Sequence, residues 1–177
     1  MYYRLIKRNE IVKLREIERK EIIENVFQVI EGELILKKQP YIMDWSKERY
    51  EEVIVELHDL YNRGGTIIGA FNDKVLVGIV SLENKFIGKY NDQLQLTMLQ
   101  VSNPYRSTGI GGKLIELIKN RASNLGAKKL YISSSCSENT VYFYLSHGSI
   151  LASEIDNNLF NLEPVDIHFE LKVRNKL

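Results

Sequence analysis

The residues with the most chemical potential are consecutive: Arg106-Ser107-Thr108-Gly109-Ile110-Gly111, with Gly112 next. Glycines at 109 and 111 let a ligand approach the main chain with no Cβ in the way. A helical pattern follows, so the loop N–H groups and the first unpaired N–H groups of the helix converge on one space at the positive end of the helix dipole. A pyrophosphate suits such a cradle, and Arg106 can add charge or brace the loop. Lys113 lacks the glycine spacing of a Walker loop. The preceding strands read as antiparallel and no βαβ unit opens the chain, so a dinucleotide fingerprint fits poorly as well.

Other reactive side chains are sparse. Tyr144, in Tyr142-Phe143-Tyr144, can serve as a proton donor or pack as an amphipathic core tyrosine. Cys136 is the sole cysteine. It reads as a small loop residue rather than a nucleophile, it cannot form an internal disulfide, and no Cys/His set has zinc spacing. His147 precedes Gly148 at a helix end, where an imidazole meets the terminal carbonyls. His58 falls on the mixed face of a helix, and His168 alternates outward on the last strand.

The elements that position these residues follow from periodicity. Tyr2–Lys7 is β-prone. Ile11, Leu14, Ile17, Ile22, Ile23, Val26 and Phe27 recur at helical spacing and predict one helix or two after Asn9, with a small hairpin turning at Glu31-Gly32-Glu33. Tyr50, Val53, Ile54, Leu57 and Tyr61 mark a helix over Lys47–Asn62, stopped by Gly64-Gly65. Thr66–Phe71 and Val75–Leu82 flank a turn at Asn72-Asp73, and Leu94–Val101 is a further strand whose alternation shifts near its end, as at a bulge. A helix over Gly112–Leu125, a strand at Lys129–Ser133, a short helix at Asn139–His147 and a last strand at Ile167–Val173 complete the order. This predicts an α/β (α+β) fold in one domain over 1–177, a mixed and mostly antiparallel sheet flanked by helices.

Bulk properties narrow the function. The 177 residues suit one domain. Lys plus Arg total 24 against 23 Asp plus Glu, so the basic excess of a general nucleic-acid binder is missing. No run approaches the ~18 apolar residues of a membrane span, and no signal peptide is visible. The expectation is a cytoplasmic protein, a monomer or homodimer, with no nucleic acid, membrane or metal as partner.

The run Val101–Gly111 resembles the signature of the GNAT acetyltransferase superfamily, and Thr140-Val141-Tyr142-Phe143-Tyr144 with Gly148 beyond it is similar to the second signature. Together with the order of elements the resemblance covers about 65–147. It implies an N-acetyltransferase that uses acetyl-CoA as co-substrate. It also implies a sheet splayed between the fourth strand, Leu94–Val101, and the fifth, with the pantetheine arm in the gap. Main-chain groups of Leu99, Gln100 and Val101 would bond the arm. Arg106, Ser107, Thr108, Gly109, Ile110, Gly111 and Gly112 would hold the pyrophosphate. Tyr144 would protonate the leaving thiolate, and Asn139 would bond the arm or cap its helix. Gln95 stands where many members carry a basic glutamate, which leaves Asp92, Glu83 or a water chain as base. On this reading Gly111→Val pushes a side chain among the phosphates and leaves the fold intact.

The acceptor is the open part: a polyamine or antibiotic amine, an amino-acid derivative, or a peptide amine. In the family the first helices wall the acceptor cleft. Residues two apart on a helix diverge by about 200°, so Glu16, Glu18 and Glu21 cannot all face one way. One acid turns toward the cleft and attracts an ammonium group, or all belong to a solvated face. Trp45 and Tyr41 line the acceptor pocket or pack under the second helix. Two other readings stand beside the enzyme: a non-catalytic acyl-CoA sensor, and a nucleotide-binding domain of another fold.

Overall fold

The computed structural model describes residues 1–173. Strand β1 (Tyr2–Leu5) leads into a 3₁₀ segment (Arg8–Glu16) and a hairpin of β2 (Glu21–Ile30) and β3 (Glu33–Met43). Helix α1 (Lys47–Asn62) precedes β4 (Thr66–Asn72), β5 (Val75–Ile87) and β6 (Gln93–Val101). A 3₁₀ turn (Asn103–Tyr105) leads to α2 (Ile110–Asn124), β7 (Lys129–Ser134), α3 (Glu138–Ser146), β8 (Ile150–Leu151), α4 (Asn157–Leu162) and β9 (Ile167–Lys172). A seven-stranded sheet runs β1-β4-β5-β6-β7-β9-β8, and β2-β3 form a separate two-stranded sheet. In the large sheet β6–β7 is the parallel pair; the other pairings are antiparallel. The fourth and fifth strands of the sequence reading are β6 and β7.

Thr66–Phe71 of β4 are all buried, so both faces of the sheet are covered there. Two cores do this. One gathers Leu114, Ile118 and Ala122 of α2, Val141 and Tyr144 of α3, and Leu94 and Leu96 of β6. The other sets Val53, Ile54, Leu57 and Leu60 of α1 and Ile11 and Leu14 of the 3₁₀ segment against Phe71, Leu76 and Ile79. Ser46 caps α1 by accepting the Arg49 N–H at 3.2 Å.

Residues 21–30 are a strand, not a second helix. Ile23 and Val26 are both buried three residues apart, which imitates helical spacing. The cause is a register break: Ile23 pairs with Tyr41 and Asn25 with Lys38, so Glu24 faces Gln39-Pro40 unpaired. Pro40 has no N–H to give the ladder. The hairpin turns at Glu31 (φ 52°) and Gly32 (φ 82°), the positive pair that matches strand twist. The expected helix at Asn9 is 3₁₀ instead. His168 is buried and accepts or donates at 2.7 Å with the Tyr131 hydroxyl through Nδ1, because β9 is covered on both faces.

Arg4 clamps β1 to the 3₁₀ segment. Its Nη1 and Nη2 donate to the two Glu10 oxygens at 2.7 Å each. Glu10 also accepts the Lys7 N–H at 3.0 Å. The Arg4 hydrogen bonds lower the Glu10 carboxyl from 4.5 to about 2. A depressed carboxylate adds stability above its unfolded pKa and loses it as pH falls through the folded one. Both side chains are partly exposed, so water screens the pair. Wild type is therefore expected to exceed Glu10→Gln by about 1 kcal/mol at neutral pH. That margin should vanish between about pH 4.5 and 2, read by urea melts across pH. A margin independent of pH would assign the effect to packing.

Candidate active site

The parallel pairing of β6 with β7 runs from Gln93↔Lys129 to Leu96↔Ile132 and stops. Beyond it β6 continues to Val101, while Ser133 and Ser134 of β7 pair with β9. On the other side of β6, Leu96 faces Leu82 and Met98 faces Ser81, so Thr97 is a bulge residue. Its hydroxyl lies 2.6 Å from that of Ser81. Ser102 N–H donates to Val77 C=O at 2.9 Å. In an antiparallel ladder bonded residues alternate, so Met98 and Gln100 turn their main-chain groups to β5 and Leu99 and Val101 turn theirs to the gap. Arg106 Nε takes the Val101 carbonyl at 3.2 Å. The Leu99 N–H and C=O and the Val101 N–H face the opening between the strands.

A cleft of about 430 Å³ occupies that opening, floored by Thr97–Gln100 of β6 and Ser133–Cys136 after the divergence. Tyr144 lines it from α3, and Asp166 and Glu163 line it from the segment before β9. Tyr144 is almost completely buried, and desolvation with help from the Asp166 charge pushes its phenol well above the ordinary range. Burial likewise raises the Asp166 carboxyl, against the Ser133 hydroxyl that donates to it at 2.9 Å. Burial raises the Cys136 thiol, which keeps it protonated and inert as a nucleophile. The Asp166 carboxylate carried no sequence signal, since its partner Ser133 is far away in the chain.

Ser107 (φ 60°) and Gly109 (φ 89°) wind the loop into the start of α2. Gly109 is the N-cap. The N–H groups of Ile110, Gly111 and Gly112 form the open first turn, and Thr108 Oγ1 donates back to Tyr105 C=O at 2.6 Å. A Cβ added at Gly109 would meet nothing within 4 Å, so the space before the helix is open. A Cβ at Gly111 would instead stand 2.9 Å from Phe143 Cε2, and one at Gly112 2.9 Å from His147 Nε2. Those two glycines admit α3 against α2, which corrects the expectation that a side chain at 111 enters the cradle with the fold intact.

The remaining sequence expectations divide. Glu21 lines the cleft; its Oε2 is 2.9 Å from Arg106 Nη1, and its Oε1 accepts from Asn139 at 3.0 Å. Glu16 accepts the Leu76 N–H at 2.6 Å and Lys13 Nζ at 2.7 Å, which ties the 3₁₀ segment to β5 away from the cleft. Glu18 is exposed and enters the framework by its main chain. The three acids do not share one helix, so the angular argument does not apply to them. Asn139 does not cap α3; Ser137 does. Gln95 sits in register with Tyr131 outside the cleft lining. Glu83 is bound to Arg63 and Asp92 lies 3.9 Å from Lys128, both away from Tyr144. Trp45 and Tyr41 both line the cleft. Among the described residues no helix is long and apolar enough to cross a membrane, and no group of three His, Cys, Asp or Glu is placed to hold a metal.

The Acetyltransferase (GNAT) domain family matches residues 39–154. Solved structures share the fold. Nourseothricin acetyltransferase superposes with a TM-score of 0.74 at 16% identity, covering 98% of each chain. A proposed streptothricin acetyltransferase from Bacillus anthracis str. Ames, in complex with acetyl coenzyme A, gives 0.71 at 16% identity over 97% of this chain and 98% of that one. PaiA N-acetyltransferase from Thermoplasma acidophilum, in complex with coenzyme A, gives 0.63 at 19% over 97% and 99%.

Gly111→Val tests how the first turn of α2 is held. The added side chain collides with Phe143, so the expected result is a loss of about 1–3 kcal/mol in denaturant melts. Pairing it with Phe143→Ala should recover part of that loss. An unchanged melt for the single variant would contradict the α2–α3 contact.

Proposed function

The chain belongs to the GNAT acetyltransferase family, and on that footing we propose that it is an N-acetyltransferase carrying an acetyl group from acetyl-CoA to an amine of a small molecule or peptide. The observation that supports this most is the gap itself. Past the end of the β6–β7 ladder the strand turns the Leu99 N–H and C=O and the Val101 N–H away from β5, beside a cleft that also holds a buried tyrosine. An extended amide-bearing arm fits such an edge, because it supplies the missing ladder partners. The open N–H groups at Ser107–Gly112 suit a pyrophosphate at the start of a fifteen-residue helix.

In this reading the donor thioester lies between the two strand ends, and the acceptor amine attacks its carbonyl directly. Holding both in one cleft supplies much of the acceleration. The Val101 N–H is the group available to the developing oxyanion. Tyr144 keeps its proton because burial disfavours the phenolate, so it has one to give the departing thiolate. Asp166 takes the role of base for the amine. Burial raises its carboxyl, against the Ser133 hydroxyl that donates to it and orients it. The amide at Gln95 does not argue against turnover, since that position is outside the cleft lining.

Thiol release over a panel of amines, with donor binding measured by calorimetry, tests the proposal. Tyr144→Phe is expected to lower kcat by about 10²–10⁴-fold while donor affinity holds. Asp166→Asn should lower kcat and flatten the acid limb of the kcat/KM profile. A Tyr144→Phe protein with wild-type turnover would return Tyr144 to the core. Failure of acetyl-CoA to bind the wild-type chain would remove the proposal altogether.

A further inference from the structure

The cleft wall contains a cation with no acid assigned to it. Arg4, Arg15, Arg49, Arg63 and Arg106 each lie within 3.0 Å of a carboxylate oxygen. Among the described residues Arg8, Arg19 and Arg121 meet none at ion-pair distance; Arg8 donates to Asn62 and Arg121 to Thr66, whereas the Arg19 Nε is buried with no hydrogen-bond partner. It is half-buried, and desolvation opposes its charge. A buried N–H without a partner costs stability, and a ligand that accepts from it would remove that cost.

Arg19 is also held in place. Its guanidinium stacks on Trp45 with the carbon 4.4 Å from the ring centroid. Trp45 in turn meets Tyr50 edge-on at 5.2 Å, and the Tyr50 hydroxyl donates to Ile17 C=O at 2.7 Å. The Arg19 carbonyl accepts from Arg106 Nη2 at 2.9 Å. The acids near it act through space and not by direct contact: Glu21 also binds Arg106 and Asn139, Asp44 also accepts the Trp45 N–H, and Glu56 pairs with Arg49. The side chain lines the cleft beside Tyr41, Met43 and Trp45 of the hairpin and its exit. The first turn of α2, where phosphate would sit, is a separate place. Asp166 and Glu163 line the same cleft from the segment before β9, beside Tyr144. The cleft therefore has a cationic pole and an acidic pole.

We propose that the acceptor is an amine that also carries a carboxylate, a free amino acid or amino-acid derivative, whose carboxylate docks on Arg19 while its amine is presented near Tyr144 and Asp166. This rests on the N-acetyltransferase reading and narrows its acceptor. A planar, stacked guanidinium presents paired donors that match a carboxylate. A polyamine or aminoglycoside, cationic throughout, would set a like charge against Arg19.

The test first confirms acetyl-CoA binding by calorimetry, which reports on the family reading independently. Thiol release is then compared for the proteinogenic amino acids and their decarboxylated amines. The expected result is a preference of about 30-fold or more in kcat/KM for the carboxylate-bearing partner. Arg19→Met should collapse that preference through KM, with acetyl-CoA affinity and melting temperature retained, and Arg19→Lys should restore part of it. If decarboxylated amines serve as well, or if acetyl-CoA binds and no carboxylate-bearing amine is acetylated, the substrate class is wrong. If Arg19→Met weakens acetyl-CoA instead, Arg19 belongs to the donor site and the inference falls.

Discussion

Everything at the site depends on a ladder that stops early. Past Leu96↔Ile132 the two central strands part, and a buried main chain is left with groups to satisfy. The protein satisfies one of them itself: Arg106 reaches the Val101 carbonyl. The rest remain open to the cleft. The bulge at Thr97 sets which residues these are, because a shift of one would have turned Met98 and Gln100 inward instead.

Arg106 joins the halves of the cleft. One guanidinium bonds the end of β6, the carbonyl of Arg19 and the carboxylate of Glu21 at the start of β2. The signature arginine braces the two halves of the cleft. Ser102 works beside it, accepting the Glu18 N–H at 2.9 Å, and Asn103 N–H donates to Glu18 C=O at 2.8 Å. These contacts fix the 17–20 linker against the sheet and so set where Arg19 stands.

The elements with an uninterrupted period were legible from sequence. α1, α2, β4 and β7 fall where apolar spacing and glycine stops put them, and β6 was legible together with the break in its alternation at the bulge. β2 was not, since the break at Glu24 and Pro40 converts a two-residue period into a three-residue one. The glycine-rich turn was legible as an N–H cradle, but which way each missing Cβ points depends on α3 packing across it. Asp166 was invisible because its meaning comes from Ser133 and Tyr144, met only after β7 and β9 pair. Arg19 was hidden in a run of mixed charge, and only the commitments of its neighbours set it apart.

The hairpin β2–β3 forms its own small sheet and meets the rest through few bonds, among them Phe27 N–H to Cys136 C=O at 2.8 Å and the Glu21–Arg106 pair. Its cleft-facing side chains contribute little to the two cores that hold the large sheet together. Part of the cleft wall is therefore built on a segment whose revision costs the scaffold little. Substitutions at Tyr41 or Met43 can reshape the cleft wall while the stability margin stays with the strands beneath, so such a chain can change its diet without relearning how to fold.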